Sequence, residues 1–215
     1  MRAVLWDLDG TLVDTEPYWI ATEFALADEH GATWSREHAL RLVGNDLVES
    51  GRYIREVMGL EMSAEDVVEY LLDGVVAQVA DAVPWRDGAV ELLADLRDAG
   101  VPCGLVTMSY QRFVAPIVAA LPPETFRVIV TGDQVSRGKP HPEAYLTAAA
   151  ALGLEAGECV AIEDSNTGAA SAEAAGCPVL VVENHVDVAG GPRRTFAASL
   201  TDVTVESLAG LVRDR

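Results

Sequence analysis

Apolar positions fall into short unbroken runs separated by longer segments with helical spacing. The runs Ala3–Trp6, Pro102–Val106, Arg127–Thr131, Cys159–Ile162 and Pro178–Val182 have the length and continuity of strands buried on both faces. Residues 88–99 carry apolar side chains at Val90, Leu93, Ala94 and Leu96 and stop at Gly100. Residues 113–121, 142–152 and 167–175 behave alike, the last two closing at Gly153 and Gly176. A glycine just past a helical pattern is a stop signal, because it takes the left-handed backbone at no steric cost. Strand and helix alternate, which predicts an α/β domain built on a doubly wound parallel sheet.

Residues 15–82 break the alternation. They contain helical patterns near 18–31, 35–42, 46–58 and 63–79 and no strand-like run. Pro84 and Gly88 punctuate the return to alternation. The expected organisation is a core of residues 1–14 and 83–215 with a helical cap, 15–82, inserted after the first strand. Gly190–Arg194 reads as a surface loop and Ser207–Val212 as a short terminal helix.

Charge narrows the partners. Lys and Arg number 15 against 34 Asp and Glu, a net charge of −19. Nucleic acid and anionic membrane surfaces reward basic patches, so neither is expected as a partner. Cys103, Cys159 and Cys177 form no metal-binding or disulfide pattern, and two of them sit in strand-like runs. No apolar run is long enough to span a membrane, and no secretory pattern opens the chain. A cytoplasmic protein, monomeric or a small homo-oligomer, is expected.

The chemistry gathers at strand ends. The first run leads into Asp7 and Asp9, whose i, i+2 spacing points both side chains to one side of an extended segment. The second ends in Thr107-Met108-Ser109, the third leads to Lys139, and the fourth ends in Glu163-Asp164-Ser165. In a parallel sheet these ends face one crevice. Carboxylates, a hydroxyl and a lysine together suit phosphoryl transfer, where positioning and electrostatic stabilisation do most of the work. Asp7 and Asp164 suit Mg²⁺, which takes hard oxygen ligands. Lys139 would offset negative charge, Thr107 would donate to a phosphate oxygen, and Asp9 would move a proton. Singly, each has a plainer account. Asp9-Gly10 is a turn pair, Thr107 a helix cap, Lys139 a solvated lysine, and Glu163-Asp164 acids at a helix start.

Taken together, Asp7-Leu8-Asp9-Gly10-Thr11-Leu12, Thr107, Gly138-Lys139-Pro140 and Glu163-Asp164-Ser165 resemble, in order, the motifs of the haloacid dehalogenase-like hydrolase superfamily. Asp14-Thr15-Glu16-Pro17, leading into the helical insertion, resembles its subgroup with a cap between the first two motifs. The resemblance implies a Rossmann-like core with that cap. It implies Asp7 as nucleophile, Asp9 as general acid/base with its backbone carbonyl on the metal, and Thr107 and Lys139 as catalytic residues that also bind the phosphoryl group. Asp164 would hold Mg²⁺ directly, with Glu163 close by. Gly44 and Asn45, in a cap turn after Arg41, resemble the loop that lies over the substrate, and Arg41 is counted with them as a substrate-binding candidate.

The chain departs from the family at two positions. Met108 stands where a small or amide residue usually follows the hydroxyl, though its backbone N–H still suits phosphate. Trp19 stands where sugar-phosphate mutases and many phosphatases of the subgroup have histidine. Tryptophan has no acid/base chemistry at neutral pH, so it suits packing or stacking against the substrate. Arg52 joins Trp19, Arg41 and Asn45 as a specificity candidate. The expected activity is a Mg²⁺-dependent phosphatase acting through an aspartyl-phosphate on a small phosphorylated metabolite, sugar and polyol phosphates among the candidates. The alternative is a β-phosphoglucomutase-like sugar phosphomutase. A 2-haloacid dehalogenase, which generally lacks the second aspartate, and a non-catalytic phosphate-binding relative rank below. A phosphonate hydrolase would want a cap lysine, and Lys139 is the only lysine in the chain.

Overall fold

Every residue of the first apolar run is fully buried, because both faces of the strand it forms are covered. The computed structural model describes residues 1–213. Its sheet contains β1 (Ala3–Trp6), β2 (Cys103–Val106), β3 (Phe126–Val130), β4 (Cys159–Glu163), β5 (Val179–Val181) and β6 (Arg194–Phe196). The order is β3-β2-β1-β4-β5-β6, and all pairings are parallel. The order reverses between β1 and β4, so a crevice opens beyond their carboxyl ends. This is a Rossmann-like α/β fold.

Four helices lie between β1 and the rest of the sheet: α1 (Glu16–His30), α2 (Arg36–Leu40), α3 (Leu47–Met58) and α4 (Ala64–Asp81). Their ends are locally encoded. Pro17 sits in the first turn of α1, where a missing N–H costs nothing. Asp46 accepts the Val48 and Glu49 N–H groups ahead of α3, and Ser63 with Asp66 forms a capping box ahead of α4. The chain leaves the sheet and returns to it side by side. The Asp14 N–H donates to the Pro84 carbonyl at 2.7 Å, and the Arg86 N–H donates to Leu12 at 3.0 Å.

The other helices are α5 (Ala89–Asp98), α6 (Gln111–Ala119), α7 (Glu143–Ala151), α8 (Asn166–Ala175) and α9 (Val205–Arg213). Val4 and Trp6 face a core with Leu96 of α5, Phe113 of α6 and Leu208 of α9, which continues into the inserted helices. Ala3 and Leu5 face the opposite core, with Tyr145 and Ala148 of α7 and Ala172 of α8. Alternate residues of one strand thus serve two cores.

One expectation is corrected. The stretch expected as a loop, Gly190–Arg194, runs into an edge strand, β6. Arg194 is half-buried, Thr195 and Phe196 are exposed, and a single apolar residue makes no run that would announce the strand. Backbone pairing with β5 and the half-buried Arg194–Glu173 ion pair at 2.7 Å hold it instead. All three cysteines are buried free thiols. No described helix is long and apolar enough to cross a membrane.

Candidate active site

Asp7 follows β1 directly, its N–H donating to the Ile162 carbonyl of β4 at 3.0 Å. The chain then turns through Gly10, at φ +83°. A Cβ there would lie 1.9 Å from Asp164 Oδ2, so this turn needs glycine for its backbone and for its closeness to the β4 loop. A Cβ on Gly168 would lie 2.0 Å from Glu163 Oε2. Ser165 caps α8 by accepting the Gly168 N–H at 3.0 Å, which anchors the loop carrying Asp164.

Lys139 ties the strand ends together. Its ammonium donates to Asp7 Oδ1 at 2.6 Å, Glu163 Oε1 at 2.6 Å and the Val106 carbonyl at 3.0 Å. Met108 holds its backbone, the thioether accepting the Lys139 N–H at 3.1 Å. The Tyr145 hydroxyl donates to the same Glu163 oxygen at 2.6 Å, and the Ser165 hydroxyl donates to Oε2 at 3.3 Å. Burial opposes the lysine's charge, but Asp7 and Glu163 outweigh it and keep the ammonium protonated. Burial, then the Glu163 charge, pushes Asp7 up to about 7 against the pull of Lys139. Burial, then Asp7 and Glu163, raises Asp164.

The donor set fits a divalent cation. One oxygen from each of Asp7, Glu163 and Asp164 lies within 4.8 Å of the others, and all three residues are buried. Asp7 and Glu163 share a single ammonium, and Asp164 Oδ2 is buried without a hydrogen-bond partner among the described residues. An orphaned buried carboxylate oxygen is costly unless something positive meets it. Glu163 already spends both oxygens on Lys139, Tyr145 and Ser165, so Asp7 and Asp164 are the freer ligands.

Asp9 sits in a shell of donors. Thr15 Oγ1 reaches its Oδ1 at 2.5 Å and Trp19 Nε1 the same oxygen at 3.1 Å. Ser109 Oγ reaches Oδ2 at 2.6 Å, with Thr107 Oγ1 at 3.4 Å. Trp19 therefore holds Asp9, with its ring edge-on to Phe113 at 5.5 Å between centroids. Ser109 and Thr15 were absent from the sequence-derived site. The Ser109 position, two residues past Thr107 at a strand end, was the available signal.

The cavity above these residues has an empty volume of ≈ 600 Å³, counting its open mouth, and is walled in part by residues of α1, α2, α3 and α4. Gly44 and Asn45 line it, and Thr167 donates to Asn45 Oδ1 at 3.3 Å, tying the loop ahead of α3 to the first turn of α8. Arg41 does not line it. Its exposed guanidinium stacks on the Tyr53 ring, 4.9 Å from the centroid, where cation–π contact replaces any reach toward the site. Arg52 is likewise outside, paired with Glu49 on the surface of α3.

Two residues to which the sequence assigned no role at the site, Glu16 and Glu23 of α1, are buried against the cavity. Burial, then the Asp9 charge, pushes Glu16 up to about 8. Burial pushes Glu23 up to about 7, against a hydrogen bond from Trp34. Folding thus favours the protonated forms. Their stabilising contribution is full below the ordinary 4.5 and is lost as pH rises through about 7 and about 8. In a chelator, the melting temperature of the Glu16→Gln/Glu23→Gln variant should fall less steeply than that of the wild type between about pH 5 and pH 9. Parallel melting curves across that range would contradict the raised values.

A family model described as haloacid dehalogenase-like hydrolase matches residues 4–182. Hexitol phosphatase A of Escherichia coli (strain K12) is 36% identical over 197 residues, covering 86% of this chain and 85% of its own. Phosphoglycolate phosphatase of Shigella boydii serotype 4 is 32% identical over 200 residues, covering 83% of this chain and 79% of its own. Among solved structures, β-phosphoglucomutase from Clostridium difficile superposes with a TM-score of 0.83 at 20% identity, covering 100% of this chain and 98% of its own, a likeness of fold.

Proposed function

The chain belongs to the haloacid dehalogenase-like hydrolase family and is a phosphoric monoester hydrolase, and from that premise we propose that it is a Mg²⁺-dependent phosphatase in which Asp7 is the nucleophile and Asp9 the general acid/base. The observation that carries the roles is the Lys139 ammonium, 2.6 Å from both Asp7 and Glu163, two carboxyl groups that each bring an oxygen within 4.8 Å of one from Asp164. Only Oδ1 of Asp7 is hydrogen-bonded among the described residues, which leaves Oδ2 for attack.

An Asp7 oxygen bonds to phosphorus while the bond to the leaving oxygen breaks, and Asp9 supplies the proton that the leaving oxygen needs. Asp9, now ionised, takes a proton from water. That water attacks the phosphorus of the aspartyl-phosphate, and the bond to Asp7 breaks. Lys139 and Thr107, with the Met108 backbone N–H, hold the phosphoryl group as its charge shifts. Mg²⁺ would be held by Asp7, Asp164 and the Asp9 backbone carbonyl, and it supplies positive charge against the phosphoryl oxygens and the attacking carboxylate. Residues 15–82 serve as the cap that keeps bulk solvent from the site.

The leaving group is the alcohol of a small metabolite, with sugar and polyol phosphates favoured by the likeness to hexitol phosphatase A. Phosphate release from a panel of phosphorylated metabolites tests this. Release should disappear in EDTA and return with Mg²⁺. Undiminished release in EDTA would remove the metal from the mechanism.

A further inference from the structure

The α1 wall of the cavity carries two carboxyl groups that the chemistry at Asp7 does not use. Glu16 is 6% exposed and Glu23 is 4% exposed, and both line the cavity. Seven residues apart on α1, they share one helix face with roughly 10 Å of axial rise between them. Glu16 makes no hydrogen bond among the described residues, so it is a buried polar group facing the cavity without a partner. Glu23 is held from behind. Trp34 Nε1 donates to its Oε2 at 2.9 Å, while Oε1 has no partner among the described residues. Trp34 lies outside the cavity lining and is fixed in turn by stacking on His38, 5.0 Å between centroids, and by the edge contact with Tyr53 at 6.1 Å.

The rest of that wall is apolar or neutral. Ala39, Leu42, Leu47 and Leu71 are joined by Asn45 and Ser50, and among the described residues the wall contains no arginine, lysine or histidine. The one lysine in the cavity is already bound to Asp7 and Glu163. A leaving group with a carboxylate or a second phosphate would meet two acidic groups and no cation there. A hydroxyl group would meet partners that accept from it, and a protonated carboxyl can donate as well.

Resting on the phosphatase assignment above, we propose that Glu23, positioned by Trp34, and Glu16 hydrogen-bond the hydroxyl groups of an uncharged polyol leaving group. The enzyme then selects pentitol and hexitol phosphates and shuts out esters that carry a second anion. The axial offset of the two positions lets a multi-carbon polyol engage both carboxyls, and a two-carbon acid too short to span them gains at most one contact.

The test compares sorbitol 6-phosphate, phosphoglycolate and p-nitrophenyl phosphate in the wild type and in Glu23→Gln, Glu23→Ala and Trp34→Phe. The wild type should prefer sorbitol 6-phosphate over phosphoglycolate by at least about tenfold in kcat/KM. Glu23→Ala should lower the sorbitol 6-phosphate to p-nitrophenyl phosphate ratio of kcat/KM by on the order of tenfold, carried by KM. The isosteric Glu23→Gln guards against a folding defect and should move the ratio the same way. Trp34→Phe should move it less, and adding it to Glu23→Ala should lower the ratio no further, because Trp34 acts through Glu23. A ratio unchanged in both Glu23 variants overturns the proposal. So does a wild type that prefers phosphoglycolate, or one that cleaves p-nitrophenyl phosphate but no polyol phosphate, and in either case the phosphatase assignment stands. A wild type inert toward all three esters overturns both.

Discussion

Replacing Asp7 by Asn is expected to remove phosphate release by a factor of roughly 10⁴ or more, the scale seen when a covalent nucleophile is lost. The amide keeps the shape of the carboxyl and can still accept from Lys139, but its oxygen is too weak a nucleophile to attack phosphorus. The same change should not weaken the metal-free fold. Burial and Glu163 push the Asp7 pKa up to about 7 despite Lys139, so above that pH the folded chain holds an ionised carboxyl it disfavours. A group with a raised folded pKa loses its stabilising contribution as pH rises through that value, and Asn removes the loss. Lys139 keeps its contact with Glu163 at 2.6 Å, so its charge is not stranded. In EDTA at about pH 8, the variant should melt no lower than the wild type. Saturating Mg²⁺ should raise its melting temperature less than that of the wild type, because one ligand is lost. Near-normal hydrolysis by Asp7→Asn would refute the nucleophile assignment. A large fall in metal-free melting temperature would show instead that Asp7 chiefly supports the ion cluster.

The strands were legible because parallel strands covered on both faces need continuous apolar runs, and β1 was recovered to the residue. β6 was not, since an edge strand of Arg194, Thr195 and Phe196 is held by backbone pairing and one ion pair and needs no apolar pattern. The strand-end residues Asp7, Thr107, Lys139 and Asp164 were legible for a topological reason. Parallel order sends every carboxyl end to one side, so polar residues at those ends must converge. The cap wall obeys no such rule. Which face of α1 meets the cavity depends on how the four inserted helices pack. Glu16 stood out only as part of the Asp14–Pro17 motif and Glu23 through no pattern, while Arg41, expected near the substrate, stacks on Tyr53 instead. Trp19 shows the same limit. Its identity ruled out acid/base chemistry, but only the fold brings its indole N–H to 3.1 Å from Asp9.

That contact shapes the second large effect, the replacement of Asp9 by Asn. Thr15, Trp19, Ser109 and Thr107 surround the Asp9 carboxyl, so the side chain has one well-defined position. An amide can occupy it, with its oxygen toward Thr15 and Trp19 and its NH₂ toward Ser109, whose hydroxyl can turn to accept. The geometry survives and the proton transfer does not. Loss of a general acid/base costs roughly 10²- to 10⁴-fold, but the two half-reactions should suffer unequally. A polyol leaves as a poor anion and needs its proton, so Asp9→Asn should block the first step for such esters. p-Nitrophenolate leaves without one, so with p-nitrophenyl phosphate the first step should proceed and the second, which needs a base for water, should stall. Rapid mixing should then show a burst of p-nitrophenol close to one equivalent of enzyme, followed by slow turnover, with phosphate trapped on Asp7. With sorbitol 6-phosphate there should be no burst. Equal losses on the two esters, with no burst on either, would mean that Asp9 does not move the proton. Its four donors would then mark a structural anchor between cap and core.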